Sequence, residues 1–228
     1  MTPPSYTTTT DADVTISYMK GVSKISRPHN ERQRKTKTRK ILDAARLVFC
    51  RKGFLAVTMQ DIIDECGISR GGIYIYFSSV DEIFLEVMTQ RNKEKLSCIS
   101  KSVHDHEPFD TVLDEYMTRQ KNRLVNFENS LFRAYCEYIF SKPKTAVHVL
   151  RDMQLNYSRN SLTSILTLGV SQNVIRNENI KRLADHFIVT IDGLSVLALG
   201  DALSEELIAA QFAVLHEMVN NIRNNWKG

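Results

Sequence analysis

Arg70, Gly71, Gly72, Tyr74 and Tyr76 stand within seven residues of one another in the run SRGGIYIYF, residues 69 to 77. An arginine donates a matched pair of hydrogen bonds to O6 and N7 of a guanine, and tyrosines reach phosphate oxygens or pack on thymine methyls. The adjacent glycines raise a question, because each costs about 0.5–1 kcal/mol against alanine inside a helix. Two compensations stay open. Missing side chains let the backbone itself approach a nucleic-acid groove, or they let two helices of the same chain pack closely. The readings are compatible, since Ile73 and Phe77 must point inward in either case.

Such a segment has to be held by neighbouring elements, and the spacing of apolar residues supplies them. Residues 38 to 52 place Ile41, Leu42, Ala45, Val48 and Phe49 on one helical face, and Gly53 ends that helix as a left-handed cap. Thr58 with Asp61 forms a capping pattern for a short second helix that buries Ile62 and Ile63 before a turn at Cys66 and Gly67. Ser69 caps a third helix over Arg70 to Phe77, and Ser78 or Ser79 starts a fourth with Asp81 and Glu82 in its first turn. A glycine-containing turn between the second and third helices describes a helix-turn-helix.

Charge points the same way. From Lys20 to Lys40 nine Lys or Arg accompany Glu31 alone, a local net of +8, although the whole chain carries only +4. A basic arm of this kind suits a polyanion, binding through phosphate neutralisation and counterion release. Ahead of it, residues 1 to 18 are threonine-rich with early prolines and no periodicity, which predicts a structureless segment.

The block AARLVFCRKGFLAVTMQDIIDECGISRGGIYIYFSSVDEIF resembles the DNA-binding domain of the tetracycline-repressor (TetR) family over residues 38 to 90. The resemblance implies a two-domain, all-helical homodimer that binds a palindromic operator in double-stranded DNA and releases it when a small molecule enters the C-terminal domain. It also assigns roles. Thr58 and Gln60 match positions that contact phosphate and base, and Arg70 and Gly71 match base-contacting positions. Tyr74 matches a nearly fixed tyrosine at the DNA surface, and Ile75 and Tyr76 match variable contact positions. Together with Ser69 and Gly72 these form the expected DNA-facing set. Val80 departs from the family pattern, which commonly carries a phosphate-contacting lysine there. The expected organisation is a tail with the basic arm over residues 1–37, a helix-turn-helix domain over 38–84, and a helical effector-binding and dimerisation domain over 85–228.

Beyond the fourth helix, which spans about 79 to 101, helical periodicity predicts elements over about 108–126, 128–141, 143–168, 179–200 and 204–226. The breaks are Pro108, Pro143, a loop from Gly169 to Asn179, and Gly200 with Ser204 as a new cap. There is no strand signal. Leu113, Tyr116 and Met117, then Phe132, Tyr135, Cys136 and Ile139, then Met153 and Tyr157, form apolar and aromatic stripes suited to an adaptable pocket. An ordinary core uses the same residues. Asp192 sits inside an apolar run and needs a buried partner or a ligand. A small, largely apolar effector is the corresponding expectation, and Glu137 is expected to face solvent or, failing that, to select a cationic ligand. Residues 188 to 200 are apolar nearly all round, and Leu207, Ile208, Phe212, Leu215 and Met218 or Val219 follow as a stripe. Two such helices per protomer, within about 179–226, suit an intersubunit four-helix bundle.

Other classes have less support. The chain has 228 residues, is 43% hydrophobic and holds no apolar run of membrane-spanning length, so a soluble, cytoplasmic protein is expected. Cys50, Cys66, Cys98 and Cys136 are scattered without a C-x-x-C pair, which predicts reduced thiols. His104 and His106 read as part of a polar loop, and no metal or cofactor is expected. No catalytic motif or phosphate loop is present, which argues against an enzyme. Activation of transcription, or regulation independent of a ligand, stays open beside repression.

Overall fold

The structure, a computed structural model of the chain, describes residues 28 to 224. The expected structureless segment and the first part of the basic arm lie outside the described residues. The described part is all-α, with an N-terminal helix-turn-helix domain and a C-terminal helical domain. Its helices are α1 (Pro28–Lys52), α2 (Met59–Cys66), α3 (Arg70–Tyr74), α4 (Val80–His104), α5 (Phe109–Val125), α6 (Leu131–Ser141), α7 (Lys144–Ser171), α8 (Ile180–Leu199) and α9 (Glu205–Asn220).

α1 begins ten residues earlier than the apolar pattern alone indicates. Residues 28 to 37 have no apolar stripe, but proline suits the first helical position, and Glu31 in the first turn complements the helix dipole. Lys35 pairs with Glu31 at 3.5 Å, one turn apart, and the Thr36 hydroxyl donates to the Arg32 carbonyl. Among the described residues, a boundary between two compact units falls between Thr38 and Arg39.

Within the second unit, the N-terminal core is built on Ile41, Ala45, Val48 and Phe49 of α1, Ile62 and Ile63 of α2, Ile73 of α3 and Phe84 of α4. Gly53 adopts a φ of 75° and ends α1. Thr58 and Asp61 form a reciprocal capping box, the Asp61 N–H reaching the Thr58 hydroxyl and the Thr58 N–H reaching the Asp61 carboxylate. Gly67, at φ 63°, closes α2 with its N–H on the Ile63 carbonyl. α3 is shorter than expected, because the Tyr76 and Phe77 N–H groups both converge on the Ile73 carbonyl and tighten the chain into a turn.

In the C-terminal domain, α5, α7, α8 and α9 enclose a core around Phe109, Leu113, Leu162, Ile165, Phe187 and Leu215. Three boundaries differ from the sequence pattern. The segment 128–141 divides into a 3-10 turn, Phe127–Asn129, and α6, because Ser130 is extended and its hydroxyl caps the Arg133 N–H. α7 continues through Gly169 to Ser171; Gly169 is a packing glycine, since a Cβ there would stand 2.7 Å from the Phe109 ring. α9 stops at Asn220, where the following residues bond instead to the α7–α8 connection through Arg176 N–H to Ile222 carbonyl and Asn224 N–H to Val174 carbonyl. Among the described residues no helix is long and apolar enough to cross a membrane.

The α9 stripe faces inward: Ile208, Phe212, Leu215 and Val219 are buried in this protomer's own core. What remains exposed on the last two helices is a different apolar face, with Val189 at 70% and Val196 at 52% exposure on α8 and Ala210, Ala213 and Val214 on α9.

Candidate nucleic-acid interface and cavity

α3 sits on the N-terminal domain with Ile73 fully buried and its other residues turned outward. Thr58, Gln60, Ser69, Arg70 and Gly71 are exposed, Tyr74 and Ile75 are 45% and 72% exposed, and Gly72 and Tyr76 are half-buried. These residues belong to the start of α2, to α3 and to the turns that flank them. Ser69 accepts the Gly72 N–H at 3.2 Å, satisfying one of the free donors of a helix N-terminus. Gln60 is held by Asp64 at 2.7 Å. On the far side of α2, Lys52 meets Asp61 at 2.6 Å and Arg51 pairs with Glu65.

The two glycines differ. A Cβ on Gly71 would meet nothing within 4 Å, so no contact within the chain calls for glycine there. A Cβ on Gly72 would stand 2.9 Å from the Ile68 side chain and 3.0 Å from the Ser69 hydroxyl. Close packing therefore accounts for Gly72 and leaves Gly71 as an open backbone patch beside Arg70 and Tyr74.

A cavity of about 470 Å³ lies in the C-terminal domain between α4, α5, α7 and α8. Tyr116, Tyr157 and Asp192 line it. The rest of the aromatic and apolar set singled out from the sequence is elsewhere. Leu113 and Met117 belong to the C-terminal core; Phe132 and Cys136, with Tyr135 against them, form a separate small cluster; Ile139 and Met153 pack on the N-terminal core. Burial is the physical reason, since these side chains are consumed in holding helices together.

The cavity wall is instead rich in cations and amides. α4 contributes Arg91, Asn92 and Lys95, α5 contributes Arg119 and Arg123, and α7 contributes Gln154 and Ser158. Buried Asn92 donates to Gln154 at 2.9 Å, tying α4 to α7 across the cavity edge. Burial, reinforced by Arg123, Arg91 and Arg119, lowers the Lys95 pKa to about 7. Crowding raises the Asp192 carboxyl and Arg123 opposes that rise. Apart from Asp192, none of these polar residues was singled out from the sequence. Their signal was phase: Arg119 and Arg123 follow Tyr116 at i+3 and i+7, in register with the buried stripe of α5.

Residues 41–87 match the family model described as "Bacterial regulatory proteins, tetR family". Residues 41–87 are therefore similar to the N-terminal part of tetR-family regulatory proteins. Among curated relatives, it is 33% identical over 116 residues to the uncharacterized HTH-type transcriptional regulator YfiR of Bacillus subtilis, a match covering 51% of this chain and 54% of that protein. It therefore spans about half the length of that relative. It is 24% identical over 184 residues to the HTH-type transcriptional regulator QacR of Staphylococcus aureus, covering 68% of this chain and 97% of that one. A TetR-family regulator from Agrobacterium tumefaciens shares the fold, with a TM-score of 0.63 at 19% identity over 84% of this chain and all of the other.

The helix-turn-helix part and α6 are joined by a polar contact that the sequence pattern placed elsewhere. Glu137 of α6 neither faces solvent nor enters the cavity. Its side chain is 12% exposed, and its carboxylate accepts the N–H of Phe54 at 2.6 Å and of Leu55 at 3.0 Å, as well as Arg133 Nε at 2.8 Å. A Cβ on Gly53 would collide with that carboxylate, so Gly53 is required by space as well as by its positive φ. Tyr138, on the same helix, stacks edge-on against Phe54 at 4.8 Å, and Lys142 binds Asp81 at the start of α4 at 2.6 Å. Val80 is half-buried against the N-terminal core, which accounts for its apolar character in place of the family's usual lysine.

Proposed function

We propose that the protein is a dimeric DNA-binding transcriptional regulator, a repressor released from a palindromic operator when a small molecule fills the cavity of its C-terminal domain. The observation that carries the reading is the exposed α3 surface, where Arg70, the unobstructed Gly71 backbone and Tyr74 stand together on a capped, rigid support. Arg70 would donate to guanine in the major groove, Gly71 would let the helix backbone approach, and Tyr74, Ile75 and Tyr76 would meet phosphate and thymine methyls. Thr58, Gln60 and Ser69 would hold the adjoining phosphates. The basic arm adds affinity without sequence preference.

Dimerisation is assigned to the exposed face of α8 and α9. Val189, Val196 and Val214 with the alanines of α9 form a flat apolar surface suited to helix packing, and Gly193 has no atom within 4 Å of its Cβ position. A partner's helix can approach closely there. Two recognition helices must then fit major grooves about 34 Å apart, roughly one helical turn. α4 spans about 37 Å at 1.5 Å per residue and is the lever between the two regions: it starts three residues after Phe77 and carries Arg91, Asn92 and Lys95 on the cavity. An effector shifts the equilibrium only by binding the mismatched spacing better than the DNA-competent one.

Fluorescence anisotropy with duplex DNA from upstream of the protein's own gene tests this reading, using wild type and Tyr74→Ala. Salt-dependent wild-type binding that the variant loses is expected; equal binding by both would contradict the role of α3. In parallel, light scattering at micromolar concentration should report a dimer that Val196→Asp dissociates.

A further inference from the structure

We propose that the cavity is a site for a small oxyanion with an apolar body, a carboxylate or a phosphate monoester, whose head is held by Arg91 and Lys95 of α4 and Arg119 and Arg123 of α5. This deepens the reading of the cavity as the effector site and rests on it. On each helix the two cations are four residues apart and so share one face, an arrangement that is mutually repulsive when left unneutralised. Here it is largely unneutralised. Arg119 reaches Glu115 at 3.5 Å, but Arg91, Lys95 and Arg123 form no ion pair with any described carboxylate. Arg123 has a buried Nε–H without an acceptor, and its guanidinium is held 4.0 Å over the Phe132 ring, fixed in orientation but with hydrogen-bonding capacity to spare.

The two carboxylates at the cavity form no ion pair with the cluster, although Asp192 acts on Arg123 electrostatically. Glu94 is exposed and accepts a hydrogen bond from Gln90, and Asp192 lines the cavity from α8. The cation cluster therefore asks for a negative charge from outside the chain. Ile99, Ile188 and Ile191 are buried residues that also border the cavity, giving an apolar surface for the remainder of the ligand. A cationic ligand would meet three arginines of like charge, and an uncharged one would leave the Arg123 donor unanswered. Because α4 supplies half of the charge cluster, an anion drawn between α4 and α5 acts directly on the helix that leads to the DNA-facing end.

Proton linkage follows from the surroundings of Lys95. It is faced by Arg91, Glu94 and Cys98 on its own helix, by Tyr116, Arg119 and Arg123 on α5, by Tyr157 on α7 and by Asp192 on α8. With its pKa lowered to about 7 in the empty cavity, Lys95 is mostly neutral at pH 8. An arriving anion favours its charged form, so binding takes up a proton above pH 7 and weakens as pH rises toward 9.

Isothermal titration of the full-length protein with octanoate, octyl phosphate, octan-1-ol and octyltrimethylammonium tests the proposal. At least one of the two anions is expected to bind tenfold or more tightly than the alcohol and the cation, and the ratio between them identifies the preferred head. Lys95→Gln and Arg123→Gln should each reduce anion affinity about tenfold while leaving the alcohol unchanged, with thermal melts confirming that each variant is folded. Lys95→Gln should also remove the proton uptake measured at pH 8 in buffers of different ionisation enthalpy. Equal or tighter binding of the alcohol or the cation, no saturable binding of either anion, or anion affinity indifferent to both substitutions would overturn it. A saturable cation site would sink the anion while leaving an effector cavity, and failure of the wild type to bind operator DNA would sink the regulator reading while leaving the calorimetry intact.

Discussion

The α2–α3 surface and the C-terminal cavity are assembled in opposite ways. The first is local: one capping box, one left-handed glycine and one serine cap, all between Thr58 and Tyr76, orient every exposed residue on it. The second is drawn from four helices spread between Arg91 and Asp192, and its Asn92–Gln154 contact joins helices far apart in the chain. Local construction makes the α2–α3 surface robust to change elsewhere. Distributed construction makes the cavity respond to any movement of α4, which suits a sensor.

Glu137→Ala should produce the largest effect and would blur the contrast, because it breaks the contact joining the two regions. It strands the part-buried Phe54 N–H at about 1–3 kcal/mol and removes the acceptor of the Leu55 N–H and of Arg133, so a loss of about 2–4 kcal/mol is expected. Thermal denaturation would check it, and a melting temperature within a degree of wild type would deny the joint its importance. Arg70→Ala sharpens the contrast. It should cost about 1–3 kcal/mol of DNA affinity, concentrated at one base pair, with the melting temperature and octanoate binding unchanged. Anisotropy against single-base operator variants measures it.

The two glycines allow a finer separation. Gly71→Ala should raise stability by about 0.5–1 kcal/mol, since its Cβ meets open space, and should weaken operator binding. Gly72→Ala should gain less stability or lose some, because Ile68 and the Ser69 cap must shift. Matched binding of Gly71→Ala and wild type would leave that glycine without its assigned role.

Asp61→Asn is the smallest. The Lys52 hydrogen bond, followed by the Thr58 N–H, lowers the Asp61 pKa from 3.8 to about 2. The folded pKa is depressed, so the stabilisation is complete above about pH 4 and disappears as pH falls through about 2. Acid titration followed by circular dichroism should show wild type and Asp61→Asn differing at pH 6 and converging near pH 2.

The same contrast explains what was legible in the sequence. Thr58 with Asp61, Gly67, Ser69 and the buried pair Ile62 and Ile63 carry their structural meaning within a few residues, and the helices of the N-terminal domain emerged from them, apart from the early start of α1 and the short α3. The C-terminal helices were legible as elements because proline and serine caps punctuate them. The cavity was not, because aromatic and apolar stripes mark cores as readily as pockets. Phe132 and Met153 went to packing, while Arg123, which reads as a surface residue, turned inward over Phe132. Glu137 shows the same limit, its backbone partners Phe54 and Leu55 lying more than eighty residues away in the chain.

The most direct measurement of the central claim is selection of bound duplexes from a random-sequence pool by the full-length protein, run in parallel with Tyr74→Ala. Enrichment of a two-fold symmetric site by wild type, with guanine at a fixed position in each half and no enrichment by the variant, is the predicted result. An unsymmetric or absent consensus, or one that Tyr74→Ala recovers equally well, would contradict operator recognition by α3 of a dimer.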